Sequence, residues 1–490
     1  MTGGAALVER TWRTRPAPHA PERRTGGAAA VLVPLISTTV LWAVFVQLRL
    51  TSAIVVALIS SFVVVRQIVL TVTQPHGGPV ALVFWTFLLG WMCVGSLAQM
   101  GQGRLPWPDS GLDDLYPWGQ LLFLGAILSY LGGARLVSGR RRPEDADRTP
   151  AAGAPRGRLA VLIVCAILLA FFVVTTTGGL PTRFTTRDEA GAAVGEALGE
   201  MGASGDTVRL FLINRLPVAI LTVVGYASAD ALVRARRSRS AGVMVAALRL
   251  LVCVALLVIL ANPWSTPRYL VFSAAGAVVL GLVPLLNVHR RAVAAVVLVL
   301  GTVVLYPLAT WFKKSATQTS RSVDLSTFTG IDFDGFQTTM TALAHVRDYG
   351  YAHGEHILAA FAFFVPRSLW SGKAMPANLD IAADRGYSFL NLSLPLWSEL
   401  YLDATVVGMV LGMGVLGYVS RTLDIAYNRQ EGGLAPHLAV LVATAQVGLL
   451  RGPLGGSVVF FGTVVLIGWF AFARRGRAPA LAGDLRQDVP

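Results

Sequence analysis

The sequence predicts an all-α polytopic membrane protein, and three observations carry that expectation. Hydrophobic residues make up 54% of the 490-residue chain and charged residues only 14%, where a soluble domain is about a quarter charged. The mean hydropathy is +0.61. The apolar residues gather into runs of roughly 20, the length that crosses a bilayer as a helix. About twelve runs can be marked, at 31–48, 52–72, 79–98, 118–137, 159–177, 210–232, 242–261, 269–286, 292–310, 397–419, 436–450 and 454–473. The first two nearly touch and the eleventh is short, so the count lies between about eleven and thirteen.

Basic residues orient the runs. With both termini cytoplasmic, 23 of the 41 Lys and Arg fall on the inner side, in short clusters such as GRRRPEDADR and RARRSR, as the positive-inside rule requires. Residues 1–30 then form a basic, disordered cytoplasmic N-terminus. Residues 31–310 form spans one to nine, and 311–396 one large extracytoplasmic loop containing short helices. Residues 397–473 form spans ten to twelve, and 474–490 a cytoplasmic tail. The first run lacks a cleavage site and reads as a retained helix. The net charge of +14 follows from these inner arginines, which meet anionic lipid, and no nucleic-acid motif accompanies it. Cys93, Cys165 and Cys253 all lie in apolar runs, as small core residues without disulfide or metal spacing.

Polar residues placed against the apolar pattern mark the candidate site. In the external segment 99–117, Asp113 and Asp114 read as a solvated turn before the fourth span. The segment 178–209, with Arg183, Arg187, Asp188, Glu189, Glu196 and Glu200, reads as a solvated cover with a short interfacial helix over Asp188–Leu198. Three arginines stand at external helix ends: Arg215 in FLINRLPVAI, Arg268 in NPWSTPRYL and Arg451 in GLLRGPLGG. A guanidinium at the hydrocarbon edge costs a few kcal/mol unless paired or hydrated. Each could snorkel to lipid phosphate. Together they could clamp a pyrophosphate.

In the long loop, FQTTMTALAHVRDYG has helical spacing at Phe336, Met340, Leu343 and Ala344. The run His356–Val365 is apolar but too short to span, and suits the interface or a dip into the bundle. It delivers FVPRSLWSGK, with Arg367, Trp370 and Lys373. The segment NLSLPLWSELYLDA then brings Trp397 and Glu399 to the outer end of the tenth span, on a turn beginning at Ser393 or Pro395. Glu399 is a candidate general base, or alternatively a first-turn acid favoured by the helix dipole. Trp370 and Trp397 suit stacking on sugar rings. His345, His353 and His356 cluster in the same loop as second candidates for proton transfer, without metal-site partners. No Ser–His–Asp order, P-loop or dinucleotide fingerprint is present, and no cofactor is expected. A lipid-pyrophosphate substrate fits the set: arginines hold the leaving group and Glu399 deprotonates an acceptor hydroxyl.

PRSLWxxK in a large external loop, followed by NLSLPLWSELYLDATVVGM, resembles the bacterial O-antigen polymerase (Wzy-type) family of oligosaccharide repeat-unit polymerases. NPWSTPRY and LLRGPLGG sit where that family carries an arginine at an outer helix end. The likeness covers mainly residues 262–270 and 330–455. It implies a multi-pass enzyme of the bacterial cytoplasmic membrane that joins undecaprenyl-pyrophosphate-linked oligosaccharides outside, without a metal ion. A flippase and a chain-length regulator would be its companions. Arg268, Arg367, Arg451 and Glu399 match the family's recurring positions; Arg215 and Lys373 match less closely. ELYLDATVVG departs from the family, which often has Asn-Phe-Gly after Glu-Leu-Tyr, so helix approach near Ala404 should differ. Two other readings share the topology: an O-antigen ligase, which transfers a finished glycan to another acceptor, and a flippase or exporter of lipid-linked glycan. The exporter would need charges along a path through the bilayer, whereas the charges here collect on one side.

Overall fold

The computed structural model describes residues 26–45, 49–109, 111–137, 153–185, 189, 192, 207–305, 325–387, 392–430 and 433–473. The expectations for residues 1–25, the Arg cluster at 138–152, most of the helix at Asp188–Leu198, residues 306–324 and the tail 474–490 lie outside them.

Among the described residues the chain is helical, and each apolar run marked in the sequence coincides with a helix. In chain order these are α1 (Gly26–Phe45), α2 (Ser52–Thr73), α3 (Pro79–Gln102), α4 (Tyr116–Val137) and α5 (Arg156–Thr176). Next come α6 (Thr207–Asn214), α7 (Leu216–Arg237), α8 (Val243–Leu260), α9 (Arg268–Leu282) and α10 (Val288–Leu300). The long loop supplies α11 (Gly335–Tyr349), α12 (Glu355–Phe361) and α13 (Ala377–Asp384). The chain closes with α14 (Leu396–Arg429), α15 (Ala435–Arg451) and α16 (Leu454–Phe472). Eight described helices are long and apolar enough to cross a membrane, and α1, α9 and α15 are shorter apolar helices. The molecule is a helical, polytopic membrane protein.

The helices are not equivalent. In its most apolar window α3 is 94% buried inside the protein, against 17% for α8. The bundle is therefore built around α3, with α7 and α15 also deep in it, while α5 and α8 present their apolar faces outward. α4 and α14 pack closely, with Gly133 on the backbone of Gly414 and Gly417 on that of Tyr130. A side chain at either glycine would force the helices apart, the means by which apolar helices pack tightly without a hydrophobic drive between them.

Contacts between connecting segments divide into two sets, one at each end of the bundle. At one end Arg291 donates to the carbonyls of Gln74 and Gly77, at 2.7 and 2.5 Å, and Asn428 to Gly77, at 2.9 Å. At the other, Asn262 donates to the Arg183 carbonyl at 2.6 Å, and Arg268 meets Asp332 at 3.1 Å. Among the described residues, neither of these sets mixes a segment expected inside with one expected outside. We call the second the loop end.

At the loop end the chain between α10 and α14 is not a free cap. The N-terminal half of α11 is buried, from Phe336 through Ala342, and its expected face holds: Phe336, Met340 and Ala344 are fully enclosed, with Leu343 at the edge. α12 lies along α16 and α14, and Leu358 and Phe361 on it and Phe364 just after it are exposed, the apolar fringe expected of an interfacial segment.

Candidate active site

The site is assembled around the tight turn between α15 and α16. α15 ends at Arg451, Gly452 is extended (φ −91°, ψ 161°), and Pro453 sets the chain for α16. The first N–H of a helix has no partner within it. Here Leu454 N–H donates to Glu399 Oε2 at 2.7 Å.

Glu399 reaches that turn because α14 is two limbs, not one rod. The backbone leaves helical geometry at Ala404 (φ −137°, ψ 25°) and Thr405 (φ 64°, ψ −171°). Positive φ at a β-branched residue is strained, and it reverses the chain so sharply that Leu400 lies against Gly412, where a larger residue would collide. The short limb, 396–403, thus folds back on the long limb, with α14 packed against α11 and α12 and Glu399 bonded to the start of α16. Glu399 is completely buried. Its Oε1 has no hydrogen-bond partner among the described residues. An unmet buried carboxylate oxygen is costly and rare in a structural role.

The arginines converge on the same turn from the other side. Arg268 begins α9 and Arg451 ends α15, and both line one cavity of about 370 Å³ with Phe87, Trp91 and Phe333. Acids from the long loop answer them. Arg268 Nη1 donates to Asp332 Oδ2 at 3.1 Å. Asp334, buried beside the charge of Arg451, accepts from the Ser393 N–H at 3.0 Å and from the Ser393 hydroxyl. Burial pushes the Asp334 carboxyl up, and the Arg451 charge and the Ser393 bonds oppose that shift. α3 holds this Asp-Phe-Asp segment in place. Trp91 Nε1 donates to the Asp332 carbonyl at 3.2 Å, and Gln99 to the carbonyls of Phe328 and Phe333 at 3.0 and 2.7 Å. Trp91 lies in a π-helical stretch, Leu89–Val94, a local widening that recurs at functional sites. Arg215, at the break between α6 and α7, lies against Gly456 in the first turn of α16. The structure therefore places Arg215, Arg451 and Glu399 at one turn, with Arg268 lining the cavity beside it.

Other candidates stand differently. Arg367 donates to the carbonyls of Lys373 (2.5 Å) and Ala374 (3.1 Å). Lys373 Nζ donates to the carbonyls of Ala362, Phe363 and Val365 at 2.8, 3.1 and 3.1 Å, which finishes the C-terminal end of α12. Burial and the neighbouring Arg367 charge lower the Lys373 ammonium. Both cations thus hold the shape of their own loop. Trp370 lies at its partly exposed tip. Trp397, expected as a sugar platform, is instead sealed between Trp91 and Phe123, with centroids 6.3 and 5.3 Å away. Its side chain follows the buried face of the short limb. Asp113 and Asp114 are exposed in the turn before α4.

Four features escaped sequence reading. Asp332 and Asp334 read as one polar loop, with nothing local to pair them with arginines far away in the chain. Asp403, one turn after Glu399, is buried and accepts from Ile357 N–H at 2.6 Å. Arg183, expected in a solvated cover, is only 5% exposed, and its Nε has no partner among the described residues. Burial alone lowers its guanidinium. Its carbonyl accepts from Asn262 and Ser265, which ties it to the turn leading into Arg268.

The cavity beside the arginines continues as an apolar groove. A second cavity of about 420 Å³ shares Val83, Phe272, Val297 and Leu298 with it and ends near His289 and Arg290. The cause is that α9 packs on α7 and α15 while α10 packs on α1, α2 and α3, so consecutive helices diverge. With about 1.5 Å per residue, the groove follows α9 for roughly 20 Å. Among the described residues no three His, Cys, Asp or Glu side chains are placed to hold a metal ion. No protein-family model, curated protein or solved structure matches the chain.

Proposed function

We propose that this protein is a glycan transferase of the bacterial cytoplasmic membrane, which polymerises undecaprenyl-pyrophosphate-linked oligosaccharides at its outer face. In this reading the chain crosses twelve times with both termini inside, and the loop end faces outward. One observation carries the proposal: two arginines stand at the head of an apolar groove, and the turn that bears one of them also holds a buried carboxylate with a free oxygen.

Each part has a task. The polyprenyl tail lies in the groove, whose walls suit a hydrocarbon and not the passage of a hydrated glycan. The pyrophosphate meets Arg268 and Arg451, whose charge strengthens its hold as the leaving group gains negative charge. Glu399 Oε1 takes the proton of an acceptor hydroxyl. The acceptor oxygen then bonds to the sugar C1 as the C1–O bond to pyrophosphate breaks, and the lipid pyrophosphate departs as an anion. Arg215 supports the same turn. Arg367 and Lys373 position the loop that carries Trp370 at the site's edge.

The test places purified protein in nanodiscs with a defined undecaprenyl-pyrophosphate oligosaccharide. The proposal expects a ladder of lengthened lipid-linked glycans without nucleotide sugar. Arg268→Ala and Arg451→Ala should each abolish the ladder and weaken substrate binding. Transfer to a foreign acceptor without a ladder would make the protein a ligase. Glycan crossing sealed vesicles without covalent change would make it an exporter.

A further inference from the structure

We propose that His356, held between Asp403 and Asp380, carries the proton that Glu399 takes from the acceptor out to water and so resets the base after each transfer. The inference rests on the transferase reading above and deepens it.

A buried base has a disposal problem. Glu399 is completely enclosed, so the proton it gains from each acceptor hydroxyl cannot leave directly into solvent. If it stays, the next hydroxyl meets a protonated acid. Repeated transfer needs a chain of groups that can hand the proton on.

One such chain leads away from Glu399. Asp403 follows it by four residues, and residues at that spacing share a helical face with Cβ atoms roughly 5–6 Å apart, a gap that one water spans. Asp403 Oδ1 is 2.7 Å from His356 Nδ1. The other ring nitrogen, Nε2, is 3.2 Å from Asp380 Oδ2. Burial falls along the path: the Asp403 side chain is fully enclosed, that of His356 7% exposed and that of Asp380 40% exposed. An imidazole with a carboxylate on each nitrogen can accept a proton on one side and release one from the other.

The surroundings suit the task. Burial alone would pull the imidazole down, yet the hydrogen bonds and charges of Asp403 and Asp380 outweigh it and leave His356 raised above 6.5. Glu399 and Asp403 face it from the short limb of α14, and Asp380 from α13. α16 also packs on α12 but carries no titratable side chain. Lys373 lies at the far end of α12, engaged with backbone carbonyls. The geometry is anchored as well: Asp403 Oδ2 accepts from Ile357 N–H at 2.6 Å, and the strained reversal at Thr405 follows directly.

The step balances without a further reactant. The acceptor O–H proton passes to Glu399 and on through Asp403 to His356 Nδ1. The Nε2 proton leaves to Asp380 and then to water, which leaves the imidazole as its Nδ1–H tautomer, and reorientation of the ring between the two carboxylates readies it for the next proton.

The test uses the full-length protein in nanodiscs with the lipid-linked oligosaccharide. His356→Ala should slow ladder growth about tenfold or more while lipid-substrate binding stays at the wild-type level. Added imidazole should restore at least part of the rate, through the space opened beside Asp380. His356→Gln keeps a hydrogen-bonding side chain and guards against simple misfolding; it should be folded, slow and insensitive to imidazole. The pH dependence of the wild-type rate should lose its His356-dependent limb in both variants. A wild-type rate in His356→Gln, or a folded His356→Ala that imidazole does not rescue, would overturn the relay. A wild-type protein that makes no ladder would instead overturn the transferase reading, so the two failures are distinct.

Discussion

Two buried carboxylates, one at each end of the bundle, make the same kind of contact and differ in one atom. At the loop end, Glu399 accepts from the first N–H of α16. At the opposite end, Asp424 accepts from Val80 N–H with Oδ1 and from Ala81 N–H with Oδ2, both at 2.9 Å. Each is 1% exposed or less, and each caps a central apolar helix at its N-terminus, where an acid also favours the dipole. Asp424 has both oxygens satisfied and is complete as a structural cap. Glu399 leaves Oε1 without a partner among the described residues, and that oxygen lies by the turn that Arg451 ends and Arg215 packs against. Burial of a carboxylate therefore does not mark a site; a carboxylate that the fold leaves unfinished does.

Substitution should separate the two. Glu399→Gln keeps an acceptor for Leu454 and should leave thermal stability at or above wild type. Turnover should fall about 10²–10⁴-fold, the usual worth of a general base. Asp424→Ala should do the reverse. It removes two charge-assisted hydrogen bonds worth about 1.5–3 kcal/mol each, so unfolding in detergent should show a loss of about 3 kcal/mol or more, with turnover per folded molecule kept.

Arg183 sharpens the contrast from the cationic side. Both Arg291, at the opposite end, and Arg183 leave Nε without a partner among the described residues, but Arg291 Nη1 donates to two carbonyls. Taking a charge out of water is costly unless it is well compensated, and replacing buried charged groups by apolar side chains of similar volume is often neutral or stabilising. Arg183→Met should accordingly raise the unfolding temperature of the ligand-free protein. It should also shrink the further rise that lipid pyrophosphate gives, if Arg183 helps to hold the anion.

The smallest effect concerns the outer lock. Arg385 Nε and Tyr387 Oη donate to Asp109 Oδ2 at 2.8 and 2.7 Å. Burial would raise the Asp109 carboxyl, but Arg385 and Tyr387 outweigh it and hold it below 3.8. A depressed carboxyl lends stability in full above its unfolded value and loses it as the pH falls through the folded one. Asp109→Asn should cost about 1 kcal/mol at neutral pH, and the gap from wild type should close only below about pH 4.

Much of the bundle was legible because apolar length and Arg clusters are local signals. Arg268, Arg451, Arg215 and Glu399 were legible for the same reason, as charges at the edge of apolar runs. Their partners were not. Asp332 pairs with Arg268 across 64 residues, and nothing in GIDFDG distinguishes an ion-pair acid from a solvated one. The reversal in α14 was legible only as a place, near Ala404, where helix approach should differ: ELYLDATVVG has neither Gly nor Pro at Ala404–Thr405 and its letters suit a continuous helix. That missed turn decides the site, because a straight helix would carry Glu399 away from Leu454. Trp397 misled for a related reason: an aromatic beside a polar segment reads as a platform until the fold shows which face is enclosed.

The most direct test measures Glu399→Gln and Asp424→Asn side by side, in one nanodisc preparation, for both unfolding temperature and ladder formation. The account predicts a stable, inactive Glu399 variant and a destabilised Asp424 variant whose folded fraction still polymerises. Ladder growth at the wild-type rate in Glu399→Gln would contradict it.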